Sequence, residues 1–390
     1  MTTRPPAHIL LPAFNELHND YRVFRTASAL REIGFSVTVV GVEYPNSKPI
    51  APWGKGIHMI RLGVGTTAGK MRYLSYNYQL AQLGKKMRCA GVHANDLDTL
   101  IGSGYIAIRQ KIPLIYDSHE LFIEQPPLVG RWKERMIWGL TERGMIRRAD
   151  AVITVCDSIA DQLVKRYRIP RPVVIRNMPP YRSIKRTNRI RERLGISDSL
   201  WIILYQGGLL QGLGLERIIR MGAYLRESVV VIVGGGPLET SLKQAVSKKN
   251  LDDRVKFIPH VPFQELAEYT ASADVGLSLL EGCSLNNQYA LPNKIFEYMM
   301  AGLPLVCSPF PEMAQIVNRY KTGILLSPGD PEMMAKEIEN LLREKTRYQR
   351  YADNARKAAR KLNWDQEKTR LIDLYRQKIS TNFAERILPE

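Results

Sequence analysis

Short, uncharged apolar runs recur along this chain, each followed by a stretch with helical period. That alternation limits the possible folds more than any other feature. HILLPA at 8–13, bounded by Pro6 and the polar FNELHND, reads as a strand covered on both faces, as strands of a parallel sheet are. Asp20 stands at a helix-cap position, and Val23, Ala27, Leu30 and Ile33 then share one helical face. Gly34 ends that helix and FSVTVVGV supplies the next strand, completing a βαβ unit. GVH ending at His93, IPLIYD, ADAVITV and PVVIRN continue the alternation. It breaks at Pro179, Pro180 and the basic YRSIKRTNRIRER, then restarts with five more strands: WIILYQ, VVVIV, RVKFI, ADVGLSLL and LPLVC.

A chain of 390 residues is long for a single core. The pattern therefore predicts an α/β protein of two doubly wound, Rossmann-like domains, at 1–182 and 183–365. Residues 366–390, with Leu371 and Tyr375, read as a terminal helix that packs on something large. No apolar run reaches bilayer-spanning length, and the start lacks the order of a signal peptide. Cys89, Cys156, Cys283 and Cys307 are scattered without a CxxC, which fits a reducing, cytoplasmic setting.

The net charge of +18 concerns partners rather than fold. No RNA- or DNA-binding motif accompanies it, so nucleic acid is not expected. The charge gathers in two amphipathic segments. GKMRYLSYNYQLAQLGKKMRCAG at 69–91 carries no acidic residue and interleaves Tyr73, Tyr76 and Tyr78. In 128–148, Val129, Trp132, Met136 and Leu140 form a stripe beside Arg131, Lys133 and Arg135. Such a stripe fits a core face or an anionic membrane surface equally well.

Candidate site residues cluster where strands end. EGCSLNNQYALPNKIFEYMMAGLPLV at 281–306 reads as loop, helix, turn and strand, with Pro292 at the first helical position. Its polar loop, with Asn286, Asn287 and Tyr289, leads into a helix start, which attracts phosphate. Lys294 adds a charge there, and Glu297 one turn on is a carboxylate suited to a sugar diol. Gly207 and Gly208, after WIILYQ, let backbone approach a phosphate, although the spacing is neither a Walker loop nor GxGxxG. In the first half, Asp117, Ser118, His119 and Glu120 follow a strand, and Arg176 and Asn177 end another. Arg22 lies near the end of the first strand, whereas Arg25 reads as a solvated helix arginine. Asp96-Leu97-Asp98 has the form of a DxD metal site, but Asp96 is read as a helix cap, leaving no metal.

YDSHELF, VIRNMP, YQGGLLQGLGLE, VVIVGGGPLE, RVKFIPHV and above all PNKIFEYMMAGLPLV occur in that order. Through them nearly the whole chain resembles a GT-B glycosyltransferase of glycosyltransferase family 4. The resemblance implies two domains facing a cleft, with the nucleotide bound mainly by the second, the acceptor by the first, and the final helix crossing back to the first. It implies that Glu297 binds the nucleotide ribose and that the Gly207–Gly208 turn approaches the diphosphate. His119 would lie by the donor sugar with Asp117 beside it as the candidate catalytic pair. Lys294, Asn286, Asn287 and Tyr289 fall on the donor side, and Arg22, Arg176 and Asn177 on an acceptor or phosphate side. No cofactor is implied beyond the donor, a UDP- or GDP-sugar, and such enzymes work without metal. Tyr289 stands where the family carries a second glutamate, with Glu281 nearby, and Gly208 and Leu213 stand where a cation is usual. The resulting expectation is a glycosyltransferase acting on a lipid-linked or polysaccharide acceptor, peripheral on the inner face of the membrane. The alternative is a glycosyltransferase-like subunit with little turnover that binds a partner or glycan.

Overall fold

The computed structural model describes residues 6–18, 20–65, 69–327 and 329–380. Its contacts divide the chain into two compact units, Met1–Asn177 with Glu367–Glu390, and Met178–Gln366. The division falls ahead of the proline pair rather than at residue 182. Met178 is fully buried in the second unit's core, and Pro179 accepts a hydrogen bond from the Trp364 amide of the same unit.

In the first unit the strands are β1 (His8–Pro12), β2 (Ser36–Glu43), β3 (Ile57–Gly63), β4 (Gly91–Asn95), β5 (Leu114–Ser118), β6 (Ala151–Thr154) and β7 (Val173–Val174). They form one parallel sheet in the order β3-β2-β1-β4-β5-β6-β7. Helix α1 (Tyr21–Glu32) starts at Asp20, whose carboxylate accepts from the Val23 amide, and buries Val23, Ala27 and Leu30. Strand β3 is missing from the sequence reading because IHMIRLG is an edge strand with mostly half-buried positions and no continuous apolar run. Helices α2 (Lys70–Lys86), α3 (Leu100–Gln110) and α4 (Trp132–Ile146) complete the part of the unit that matters here.

The basic segments adopt these helices, but they pack differently. On α2, Tyr76 turns inward and donates to the Val40 carbonyl at 2.7 Å, while Met71, Leu74 and Tyr78 stay exposed. On α4 only Glu142 and Ile146 are buried. Glu142 anchors the helix by accepting the Tyr116 and Tyr167 hydroxyls at 2.9 and 2.5 Å. The Trp132–Met136–Leu140 stripe faces outward, with Trp132 and Leu140 each 65% exposed.

In the second unit the strands are β8 (Trp201–Gln206), β9 (Ser228–Val233), β10 (Val255–Ile258), β11 (Val275–Ser278), β12 (Leu305–Cys307) and β13 (Gly323–Leu325). They are parallel, in the order β10-β9-β8-β11-β12-β13. The sixth, the short GIL, joins the five the pattern predicted. Successive residues face opposite sides: Ile202, Leu204, Val229 and Val231 enter one buried cluster, and Ile203, Tyr205, Val230 and Ile232 the other. Helices on both faces explain why these strands read as unbroken apolar runs.

The Trp364–Tyr375 helix begins in the second unit and continues in the first, where Leu371 and Tyr375 are buried. Lys368 pairs with Glu32 at 2.8 Å. Of the predicted terminal segment, residues 381–390 lie outside the described residues.

Candidate functional site

Each sheet reverses its strand order at one place, between β1 and β4 in the first unit and between β8 and β11 in the second. Ligands of doubly wound sheets bind outside the carboxyl ends of the strands at such a crossover.

In the second unit, β8 ends at Gln206 and the chain turns through Gly207 and Gly208. Gly207 has φ of 132°, and a Cβ there would lie 3.2 Å from the Lys294 ammonium. The next glycine turn packs against the first so closely that a Cβ on Gly234 would meet the Gly207 carbonyl oxygen at 2.0 Å. The backbone thus stays bare beside a lysine.

The helix Lys294–Ala301 is pinned below this turn by Tyr298. The Tyr298 hydroxyl accepts from the Gln206 amide at 3.1 Å, and its ring occupies the space that a side chain on Gly276 would need. This fixes the two preceding polar residues of the helix. Lys294 places its ammonium 3.8 Å from the centre of the Tyr205 ring. Burial lowers the Lys294 pKa to about 7, although Glu297 and Cys307 push it up. Glu297 accepts from the Gln206 side-chain amide, which in turn accepts from the Thr270 hydroxyl at 2.8 Å. Glu297 lines a small cavity of about 30 Å³ with Arg182, Thr270 and Met300. Sequence reasoning missed Gln206, whose only signal is its place before the glycine pair.

The polar stretch before this helix is not a loop. Ser284 accepts from the Asn287 amide and caps a short helix, Leu285–Tyr289. Pro292 precedes the cap residue Asn293 instead of opening the helix. Asn287 is buried and donates to the Gly212 and Glu281 carbonyls at 3.1 and 3.3 Å, tying the segment to the glycine loop. Asn286 is also buried, and Tyr289 is half-buried at the end of the short helix. Glu281, the candidate stand-in for a second glutamate, pairs with Arg217 at 3.0 Å. Lys294 is the basic side chain that lies against the glycine turn at Gly207.

In the first unit, His119 follows β5 and is held by two carboxylates. Its Nδ1 lies 3.1 Å from Asp96 and its Nε2 3.3 Å from Asp117. Asp96 also accepts from the His119 amide at 2.9 Å. It does so from a backbone φ of 60°, uncommon for a residue other than glycine. This corrects the cap reading: the Asp96 carboxylate caps no helix and holds His119 instead. Burial disfavours the imidazolium, but Asp96 and Asp117 outweigh it and raise the His119 pKa to about 10. The ring is therefore a fixed cation at neutral pH, a hydrogen-bond donor rather than a base.

Asp117 is 1% exposed and Arg22 is 6% exposed, which moves both from ligand contact to support. Arg22 grips Asp117 with two bonds, at 2.9 and 2.6 Å, and donates to the Ile175 carbonyl at 3.0 Å. Burial opposes ionisation of Asp117, yet Arg22 and His119 keep its pKa well below the usual value. His93 adds a donor from within the sheet: its Nε2 lies 3.4 Å from Asp117 and its Nδ1 2.8 Å from the Tyr375 hydroxyl. With the carboxylate accepting at Nε2, the tautomer follows, and Nδ1 accepts from Tyr375. The terminal helix thereby connects through His93 and Asp117 to His119. His119 and Asp96 keep 18% and 25% of their side chains exposed, whereas Asp117, Arg22 and His93 are buried.

The remaining predicted residues are placed as follows. Arg25 is buried and donates to the Asn177 side chain, so it is not a solvated arginine. Arg176 pairs with Asp157 at 2.9 Å and with Glu367 at 3.8 Å, which balances its charge. Among the described residues, no three His, Cys, Asp or Glu side chains converge as metal ligands.

Two doubly wound units, each with polar groups at its crossover, define a two-domain class of α/β protein. The family model Glycosyltransferase Family 4 matches residues 21–178, and Glycosyl transferases group 1 matches 186–358. Matched by both over most of its length, the chain belongs to the glycosyltransferases of GT-B fold. It is 26% identical to a D-inositol 3-phosphate glycosyltransferase of Thermomonospora curvata, over 68% of this chain and 66% of that protein. Its fold is similar to that of sucrose-phosphate synthase from Thermosynechococcus elongatus, with TM-score 0.81 and 18% identity over 96% of this chain and 100% of the other. It is also similar to that of Anabaena HepE in complex with UDP-glucose, with TM-score 0.75 and 15% identity over 95% and 99% of the two chains.

Proposed function

We propose that this chain transfers a sugar from a nucleotide diphosphate sugar to a lipid-linked or polysaccharide acceptor at a membrane surface. One grouping carries the donor half of this reading. At the β8–β11 crossover, Lys294 sits against a bare glycine turn with Glu297 one helical turn away. An ammonium and free backbone suit a diphosphate, and an oriented carboxylate suits a ribose diol. That HepE was solved with UDP-glucose supports the same donor class. His119, held as a cation by Asp96 and Asp117, would contribute positive charge to the site on its own unit. In this reading Lys294 and the backbone supply the positive field, so transfer needs no metal.

The membrane half rests on the outward stripe of α4 and the basic residues beside it. Among the described residues no helix is long and apolar enough to cross a membrane. The reading is surface attachment through that stripe, on the cytoplasmic side.

The test is a thermal-shift screen of UDP-, GDP- and ADP-sugars followed by donor hydrolysis, with and without EDTA. One nucleotide class should raise the melting temperature, and chelator should change nothing. If no nucleotide binds, the donor reading falls. Binding without turnover would favour the subunit alternative, in line with Tyr289 at the second-glutamate position.

A further inference from the structure

Strand β8 ends on a glutamine whose side chain has no solvent to face. Gln206 is 1% exposed, and Thr270, the last residue of the helix Phe263–Thr270, is 0% exposed. A buried amide costs free energy unless its donor and its acceptor are both hydrogen-bonded. Here both are. Gln206 Nε2 donates to Glu297 Oε2, and Gln206 Oε1 accepts from the Thr270 hydroxyl at 2.8 Å.

Chemistry fixes the direction of this chain. An ionised carboxylate only accepts, so the amide turns its nitrogen to Glu297 and its oxygen to Thr270. That oxygen needs a donor, and the Thr270 hydroxyl supplies the proton. The same hydroxyl lies 2.8 Å from the Leu266 carbonyl, so one proton is shared between two acceptors.

Gln206 also holds the next residue of the helix Lys294–Ala301. Its backbone N–H donates to the Tyr298 hydroxyl at 3.1 Å, and that hydroxyl lies 3.2 Å from the Leu277 carbonyl. Gln206 thus grips two consecutive helix residues, Glu297 by its side chain and Tyr298 by its backbone. The residue after it is Gly207, whose amide donates to the Val233 carbonyl at 2.9 Å. One residue therefore fixes the carboxylate relative to the glycine turn. A glutamate has several rotatable bonds and a broad terminal torsion, which a half-buried position alone does not settle. Tethering one carboxylate oxygen sets the plane in which the group meets a diol.

Resting on the reading of Glu297 as the ribose ligand, we propose that Gln206 and Thr270 are a positioning pair that sets discrimination of ribose against 2′-deoxyribose in the donor nucleotide. Thr270 orients Gln206, Gln206 orients Glu297, and Glu297 receives the ribose hydroxyls. A site preorganised for a hydroxyl rejects the analogue that lacks it, because the oxygen aimed at that hydroxyl stays unpaired. A carboxylate that can swing turns to water instead, and the penalty disappears. In the same reading the diphosphate rests on Gly207 and Lys294, so its share of the affinity does not pass through Thr270.

The experiment is calorimetry of the full chain with two nucleotide pairs, UDP against 2′-deoxy-UDP and GDP against 2′-deoxy-GDP. For the pair that binds, the parent should prefer the ribonucleotide by roughly ten- to a hundredfold, the range for a hydrogen bond to a charged group. Gln206→Leu removes both side-chain bonds at similar volume. It should bring the ratio to about threefold or less and leave the 2′-deoxynucleotide within about twofold of its parent affinity. Thr270→Val should lower the ratio about threefold or more, and Thr270→Ser, which keeps the hydroxyl, should restore it. A merely structural role would weaken both nucleotides by one factor and preserve the ratio. That result in folded Gln206→Leu and Thr270→Val protein would overturn the positioning role while leaving Glu297 as the ribose ligand. Equal affinities for the two sugars in the parent would overturn the ribose assignment itself, and the pair's role with it.

Discussion

Glu297 and Lys294 are three residues apart on one helix, yet their surroundings give them different chemistry. Glu297 is oriented by Gln206 and lines the small cavity. Glu297→Ala should weaken nucleotide binding by about 1.5–3 kcal/mol, the range for a hydrogen bond to a charged group, without loss of folding. Calorimetry against UDP and GDP reads this, and unchanged affinity in a folded variant would sink the ribose assignment. Lys294 has a pKa of about 7, far below the ordinary lysine value. UDP-glucose has no ionisation of its own near neutrality, so its affinity should fall as pH rises above about 7, by up to tenfold per unit. Lys294→Met should abolish that slope. The sign for folding is the reverse. Between pH 7 and 10.5 the unfolded lysine holds a proton that the folded one lacks, so stability of the unliganded protein should rise with pH in that window. For His119 the folded pKa lies above the ordinary value. Its stabilising contribution is complete below 6.5 and is lost as pH rises through about 10. The rate profile should therefore lack a limb near 6.5. A limb there that vanished in His119→Gln would show the histidine acting as a base.

At the scale of elements, α4 stands out because its apolar stripe is the face it does not bury. A helix normally gains its stability from that face. Here Glu142 replaces it as the anchor, accepting two buried tyrosine hydroxyls. Glu142→Ala would remove the carboxylate that accepts both buried hydroxyls and should cost about 2–4 kcal/mol, read by urea denaturation. Trp132→Ser with Leu140→Ser should leave stability within about 0.5 kcal/mol, because neither side chain is packed. The same pair should reduce binding to phosphatidylglycerol-containing vesicles by about tenfold or more, since each large apolar group transferred is worth on the order of 1.5–3 kcal/mol. Vesicle sedimentation that gave equal partitioning for the pair and the parent would leave charge alone as the cause.

For the whole molecule, the closing stretch matters most. From Glu367 onward it belongs to the first unit, although the second unit precedes it in sequence. Leu371, Leu374, Tyr375 and Ile379 are buried there, and a side chain on Gly91 would strike Ile379. Truncation after Gln366 removes this packing and should destabilise the first unit by roughly 5 kcal/mol or more. The second unit keeps its own two buried clusters and should still bind nucleotide. Calorimetric scans should then show two separated transitions, with nucleotide shifting only the upper one. A single transition lowered as one would mean that the units do not unfold independently. Tyr375→Phe is the milder variant. It removes the hydroxyl on His93 and should reduce turnover more than it lowers the melting temperature.

Much of this architecture was legible because a parallel sheet writes itself plainly. Runs such as ILL, VTVV and VVVIV are apolar without interruption since both of their faces are covered, and Asp20 and Gly34 mark where a helix starts and stops. The strands that escaped, IHMIRLG and GIL, lie at sheet edges, where partial exposure or brevity erases the run. Lys294, Glu297, Gly207 and His119 were legible as candidate site residues because they lie in segments that follow strands. Their electrostatics were not. The low pKa of Lys294 depends on its burial below the glycine turn, and the high pKa of His119 on two carboxylates, one of them 23 residues away. Composition could not decide that Asp117 and Arg22 consume each other, nor that Asp96 holds a histidine instead of capping a helix. The α4 stripe read the same whether it faced a core or water. Spacing along a chain fixes which side chains share a face, but what lies opposite that face is set by residues distant in sequence, and only the tertiary structure brings those together.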